Sequence, residues 1–276
     1  MTISRPWPYP LLLRPGAWQL RAALASALAA AVLALPSVAL AREALAAPPP
    51  PMVSTPSAGQ ALAVPAHLFA LAHPVGQQRL LHSDYNQAYW PLANYFETQR
   101  NQAYCSVATS VMALNALGVA RPATPLYPDF GFFTQQGFFD GIHPRVASAE
   151  GVAKEGMTLE QLGAALGHFA LRVEVISGAA LDVHQLRQLL KQHLRQSDRF
   201  VLLNFNRRFI GQLGGGHWSP LAAYHEASDS ALLLDVARYK YPAVWVPLAQ
   251  LLAAAQDPDS VSAKARGLLV VSKPAP

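Results

Sequence analysis

Residues 98–118, TQRNQAYCSVATSVMALNALG, contain the only cysteine in a chain of 276 residues. A polar run precedes it and a run of good helix formers follows. Within residues 106–117, Val107, Val111 and Leu114 recur at spacings of three and four, which predicts a helix. Gly118 is suited to end that helix in a left-handed conformation. Cys105 then stands at the helix N-terminus, where unpaired backbone N–H groups and the macrodipole favour a thiolate. A lone cysteine has no partner for an internal disulfide and cannot build a cysteine-rich zinc site. Two readings stand at this point: an inert, buried small hydrophobe, or a nucleophile. Its place at a helix start favours the second.

The rest of the chain sets the fold class. Residues 158–168 and 181–194 carry helical spacing, the second with Asp182 as a cap. Residues 200–205, FVLLNF, read as a buried strand. Residues 211–219, GQLGGGHWS, read as a glycine-rich turn, and residues 220–224 as the start of a second strand. Residues 227–230 form a polar turn, and residues 231–237, ALLLDVA, a third strand. Residues 247–255 are a short helix with proline in its first turn, and residues 268–272 a last strand. Helices come first and antiparallel strands later, so the class is α+β. GQLGGGH is no phosphate loop, because Pro220 and a strand follow it where a helix would be needed.

Arg5, Arg14 and Arg21 precede residues 22–41, AALASALAAAVLALPSVALA, a run without charge. With Ala39 and Ala41 at its end, residues 1–41 are expected to be a secretory signal peptide cut after Ala41. The expected location is therefore the periplasm. The alternative is an uncleaved anchor in the inner membrane, since the run is just long enough to span. Residues 42–82 are read as a Pro/Ala-rich linker and residues 83–273 as the folded domain. The formal net charge of +5 shrinks once residues 1–41, with three arginines and no acid, are set aside. The remainder carries no basic cluster with interleaved aromatics, which excludes a nucleic-acid partner. No membrane contact beyond the N-terminal segment is expected.

A nucleophilic thiol needs a base, and the base needs a group to orient it. Of nine histidines, His217 directly follows three glycines and opens a predicted strand. Its bland reading is a residue that ends a turn. Asp235 lies among Leu234 and Val236, where a carboxylate is costly to bury without a partner. A hairpin between the two strands would bring Asp235 to His217; the competing reading is an ion pair with Arg238 or Lys240. Gln99, six residues before Cys105, could donate from its amide to a developing oxyanion. The order Gln, Cys, His, Asp is that of papain-like thiol enzymes, although papain's local signatures are absent.

Three blocks carry a more specific resemblance: NQAYCSVATSVMALNALGV, FNRRFIGQLGGGHWSPLAAYH and LLLDVARYKYPAVWVPL. In order and spacing they resemble the catalytic domain of phytochelatin synthases, the glutathione γ-glutamylcysteinyltransferases, over residues 83–273. The resemblance implies a papain-like α+β fold with Cys105, His217 and Asp235 as a triad and Gln99 as oxyanion donor. It further implies that Arg238, Tyr241, Asp259 and Arg266 hold substrate, arginines clamping carboxylates and aspartate receiving an amine. For Asp259 and Arg266 the competing reading is a pair of solvated loop charges. The implied substrate is glutathione, its conjugates or its metal thiolates, cleaved at the Cys–Gly bond through a thioester. No cofactor is expected, and no metal ligand set. Any stimulation by cadmium or zinc would act through metal thiolates of glutathione. The cysteine-rich extension of eukaryotic members is not found here, so the chain is similar to the short bacterial type, for which hydrolysis is favoured over peptide synthesis. A homodimer is left open. Two other readings remain: an envelope peptidase acting on another γ-glutamyl or small peptide, and an inactive module binding thiols or metals.

Overall fold

The computed structural model describes residues 61–123 and 128–274. They fall within one unit, Ser54–Pro276. The signal-peptide expectation for residues 1–41 lies outside the described residues, as does the start of the linker. Among the described residues no helix is long and apolar enough to cross a membrane.

Helix α3, Cys105–Leu117, is the element the opening stretch predicts. All but one of its residues are buried, as expected of a helix that is apolar on every side. It ends where Gly118 takes φ 59°, with its N–H bonded to Asn115 O, a left-handed turn that costs glycine little. Before it come α1 (Pro74–Leu81) and α2 (Tyr89–Asn94). After it come α4 (Ala149–Glu155) and α5 (Leu159–Leu166). Then follow α6 (Val183–His193), with Asp182 capping as the sequence suggests, and α7 (Leu248–Gln256).

The strands are β1 (Phe69–Ala70), β2 (Arg172–Ser177), β3 (Arg199–Asn206), β4 (Gly216–His225), β5 (Ser230–Leu233), β6 (Val244–Pro247) and β7 (Gly267–Ser272). They form one sheet in the order β1-β6-β5-β4-β3-β7-β2, antiparallel throughout. Helices mostly precede strands, and the class is α+β. Strand β3 is central and buried along nearly its whole length, which is why FVLLNF shows no polar alternation. Its pairing with β4 sets Phe205 against His217 and Asn204 against Trp218.

Two expectations need correction. The folded part begins before residue 83: Phe69 and Ala70 pair with Trp245 and Val244, and α1 buries Gly76 and Leu80. Trp245 Nε1 also donates to Gly76 O at 2.9 Å. The third strand ends at Leu233, not Ala237. Leu221 pairs with Leu233, and Pro220 before it has no N–H to donate; Leu234 N can still bond to Pro220 O at 3.0 Å, but the ladder goes no further. The chain leaves the sheet there, and Asp235 sits on the departing segment.

Candidate active site

Four segments converge beside the N-terminus of α3. Residues 97–101 lead in, anchored by Gln99 N to Val236 O at 2.9 Å. Tyr104 offers no side-chain cap, so the first N–H groups of α3 remain open toward the Cys105 thiol. Cys105 is buried, 7% exposed, and its sulfur lies beside the His217 side chain and the backbone of Trp218 and Ser106. Trp218 is locked in turn by Nε1 donating to Met157 O at 2.9 Å.

His217 is 5% exposed and packs edge-on against Phe205, with ring centroids 5.5 Å apart. Its Nε2 lies 2.9 Å from Asp235 Oδ1. A carboxylate only accepts, so Nε2 carries the proton and Nδ1 is left for the thiol. Asp235 is fully buried. The structure thus brings Cys105, His217 and Asp235 together, with the His217 ring between the thiol and the carboxylate.

Asp235 also has a partner that the sequence reading missed. Neither Arg238 nor Lys240 pairs with it; Arg207 does, at the turn after β3. Its Nη1 meets Oδ2 at 2.6 Å and its Nη2 meets Oδ1 at 2.8 Å. Ala237 N adds a bond to Oδ1 at 2.8 Å. Arg207 is itself 3% exposed; its Nη1 also donates to Gln212, and its guanidinium lies 5.5 Å from the Tyr241 ring centre. The available signal was an arginine placed straight after a buried strand, ten residues before the histidine.

The electrostatics follow from this geometry. Burial pushes the Cys105 thiol up, but the charge and hydrogen bond of His217, with the bonds to Trp218 and Ser106, outweigh it and hold the thiol below its ordinary value. For His217, burial and Arg207 favour the neutral ring, yet Asp235 and Cys105 win and raise its proton affinity. Asp235 is pushed up by burial and pulled further down by His217 and Arg207, so it stays well below the usual carboxylate range. A depressed thiol beside a raised imidazole favours the thiolate–imidazolium form of the pair. Iodoacetamide should therefore alkylate Cys105 at near full rate well below about pH 8.5, the ordinary thiol value. A rate that climbs only as an ordinary thiol ionises would contradict the pair.

Gln99 is buried, 4% exposed. Its Nε2 donates to Asn101 O at 2.8 Å and to Tyr239 Oη at 3.1 Å, while Oε1 has no partner. Exchanging the two amide atoms would set Oε1 against the Asn101 carbonyl, so the observed orientation is the favoured one. Gln99 and His217 share a cavity of about 280 Å³ with Gln102, Arg207, Tyr239 and Lys240.

A second cavity, of about 130 Å³, opens on the other side of His217 and is lined by Cys105, Asn204, Gly216, Asp259 and Arg266 among others. Asp259 and Arg266 are not solvated loop charges. They are buried and paired, Nη1 to Oδ2 at 2.6 Å, and Arg266 Nη1 also donates to Asn204 Oδ1 at 3.0 Å. Asn204 Nδ2 and Arg266 Nε are buried without a hydrogen-bond partner. Gly216 makes this approach possible: a Cβ there would overlap the Arg266 guanidinium. The other two expected substrate residues are not brought to this cavity. Arg238 is exposed, stacked 4.7 Å over Phe96, and lines an apolar groove with Leu71 and Leu80. Tyr241 is buried and accepts from Leu213 N at 2.8 Å, bracing the glycine turn. Among the described residues no group of three or more His, Cys, Asp or Glu side chains is placed to hold a metal ion.

The family model described as phytochelatin synthase matches residues 60–268. The chain belongs to the phytochelatin synthase family. It is 30% identical over 203 residues to glutathione gamma-glutamylcysteinyltransferase 1 of Lotus japonicus, covering 72% of this chain and 39% of that protein. It is 32% identical over 188 residues to the transferase of the same name from Triticum aestivum, covering 68% of this chain and 36% of that protein. With the transferase of Schizosaccharomyces pombe it shares 28% identity over 193 residues, or 70% of this chain and 45% of that protein. The chain thus spans less than half the length of these phytochelatin synthase relatives. The resemblance carried by the three sequence blocks is borne out.

Proposed function

We propose that this chain is a thiol acyltransferase of papain-like architecture that cleaves the Cys–Gly bond of glutathione. The observation that carries the reading is the line Cys105–His217–Asp235 at the start of a buried helix, opening onto a cavity with a buried Asp–Arg pair. Glutathione bears two carboxylates and one α-amino group. The unpartnered Asn204 Nδ2, the Arg266 guanidinium held between Asp257 and Asp259, and the Asp259 carboxylate supply complementary groups beside the thiol.

The Cys105 thiolate attacks the carbonyl carbon of the Cys–Gly peptide. The carbonyl oxygen becomes an oxyanion held by the Cys105 N–H and by Gln99 Nε2. Of the two Gln99 bonds, that to the half-exposed Tyr239 is the longer, and it is the one the oxygen replaces. His217 gives its proton to the departing glycine nitrogen. The C–N bond breaks, glycine leaves, and a γ-glutamylcysteinyl thioester remains on Cys105. Asp235 keeps the imidazole oriented throughout. His217, now neutral, takes a proton from water or from the amine of a second glutathione, whose attack releases γ-Glu-Cys or a chain longer by one γ-Glu-Cys unit. The cavity holding Gln102 and Lys240 receives that acceptor. Cadmium or zinc enters as a thiolate complex of glutathione, as part of the substrate. The charge-free run at residues 22–41 supports export, so the glutathione it meets is periplasmic.

The test is a mass-resolved product assay of the full chain with glutathione, with and without cadmium. Free glycine with γ-Glu-Cys is the expected result; species of two or more γ-Glu-Cys units would show transfer as well. No release of glycine under either condition would overturn the reading. Gly216→Ala should raise KM for glutathione by roughly tenfold, the equivalent of about 1.4 kcal/mol, because the methyl group displaces Arg266 from Asp259 and Asn204. An unchanged KM would remove that pair from substrate binding.

A further inference from the structure

We propose that Arg207 is a positioning residue of the reaction, which fixes the Asp235 carboxylate and cancels its charge so that His217 can release the proton it holds. This rests on the assignment of Cys105 and His217 above.

The geometry is unusually complete for a residue outside the reacting line. Both terminal nitrogens of Arg207 meet Asp235, at 2.6 and 2.8 Å, and the pair is 4% and 0% exposed at its side chains. Gln212 takes a further bond from Nη1, the Phe205 and Tyr241 rings lie 5.9 and 5.5 Å from the guanidinium carbon, and Arg207 N bonds to Gly215 O at 3.0 Å. A fork clamped this way leaves the carboxylate no freedom to rotate away from His217. Arg207 also lines the acceptor cavity, but its terminal nitrogens are committed to Asp235 and Gln212.

The charge argument is separate from the positional one. A bare, buried carboxylate 2.9 Å from Nε2 would hold an imidazolium very tightly. In both halves of the proposed reaction His217 must pass through its neutral form, giving a proton to glycine and then taking one from the acceptor. Arg207 opposes the charged ring, and so tempers the effect of Asp235. The groups facing His217 are Cys105 from α3, Asp235 from the segment after β5, and Arg207 from the turn after β3; Glu155, Asp259 and Arg266 line the cavity that His217 shares with Cys105. Tyr239 and Lys240 stand behind them, interacting with Asp235 and Arg207.

The experiment compares the full chain with Arg207→Met, Arg207→Lys and the double variant Arg207→Met/Asp235→Asn. Cys105 is the only thiol, so iodoacetamide alkylation against pH reads it directly. The wild type is expected to show a low-pH plateau and an upper inflection where His217 loses its proton. Arg207→Met should move that inflection upward by about one pH unit and lower kcat for glutathione by roughly 100-fold with KM little changed. Removing both charges should return the inflection toward the wild-type position. Arg207→Lys keeps the charge without the fork: the inflection should stay while kcat falls, and this variant carries the test if Arg207→Met does not fold. An unmoved inflection in folded Arg207→Met, or kcat fully retained in Arg207→Lys, overturns the proposal. An ordinary thiol profile in the wild type overturns the Cys–His assignment and this proposal with it. A wild-type plateau without glutathione turnover sinks only the substrate, and the alkylation profiles still decide the role of Arg207.

Discussion

Cys105→Ala is expected to remove at least about four orders of magnitude from kcat for glycine release, in line with the loss of a covalent nucleophile. No other thiol exists to substitute for it. The fold should tolerate the change, because the sulfur occupies a small space at the head of a helix whose packing rests on Val107, Ala108, Val111 and Leu114. Glutathione should still bind within about threefold of the wild-type Kd, a difference below about 1 kcal/mol. The groups proposed to hold it, Asn204, Asp259 and Arg266, bond to one another and not to the thiol. Calorimetric titration together with the product assay separates the two effects. Turnover retained in Cys105→Ala would end the thioester mechanism. Loss of binding with loss of turnover would mean that the thiolate charge itself holds substrate. Cys105→Ser should be nearly as inactive, since a hydroxyl beside His217 lacks the readily ionised proton that makes the thiol reactive.

How much of this was legible beforehand depended on how local the signal was. Helix α3 was fully legible, from its periodic valines and leucine to Gly118 at its end, because every determinant lies within one stretch. Strands β3 and β7 were legible because they are buried on both faces and so read as largely apolar runs, Asn204 being the one polar residue inside FVLLNF. Strand β2 was not: RVEVIS lies at the sheet edge, mostly outside the core, and its mixed polarity resembles a loop. Strands β1 and β6 are too short to show a period and gain their identity from pairing, β1 with β6 and β6 with β5. The Cys, His and Asp of the site could be named because each is chemically conspicuous where it stands. Arg207 could not, since an arginine after a strand is ordinary until the fold turns it inward. The same limit kept the positions of Arg238 and Tyr241, which the family resemblance suggested as substrate residues, from being read: neither lines the cavity beside Cys105. Residue type survives in a motif, but which side of a turn a side chain faces is fixed by the segments packed around it.

Asp235→Ala should damage both stability and chemistry, and the two losses have different origins. Asp235 accepts from His217, from both ends of the Arg207 fork and from Ala237 N. Removing it strands a buried guanidinium, which costs about 3–5 kcal/mol. For a domain of this size that is a fall in Tm of roughly 6–20 °C. Turnover should drop by about 10⁴-fold, because His217 loses the acceptor that fixes its tautomer and orientation. The pH dependence of stability separates Asp235 from a generic core defect. Its carboxyl is held below the usual range when folded, so it contributes stability that is fully present above about pH 4, the unfolded value, and is lost progressively as pH falls further. Wild-type stability should therefore decline through that acid range, and Asp235→Ala should flatten the decline while lowering the plateau above it. Parallel curves, equally steep in acid, would show that another carboxylate governs acid unfolding. An unchanged Tm at neutral pH would show that Arg207 finds water or another acceptor once Asp235 is gone, and that the buried pair serves the chemistry of His217 more than it stabilises the fold.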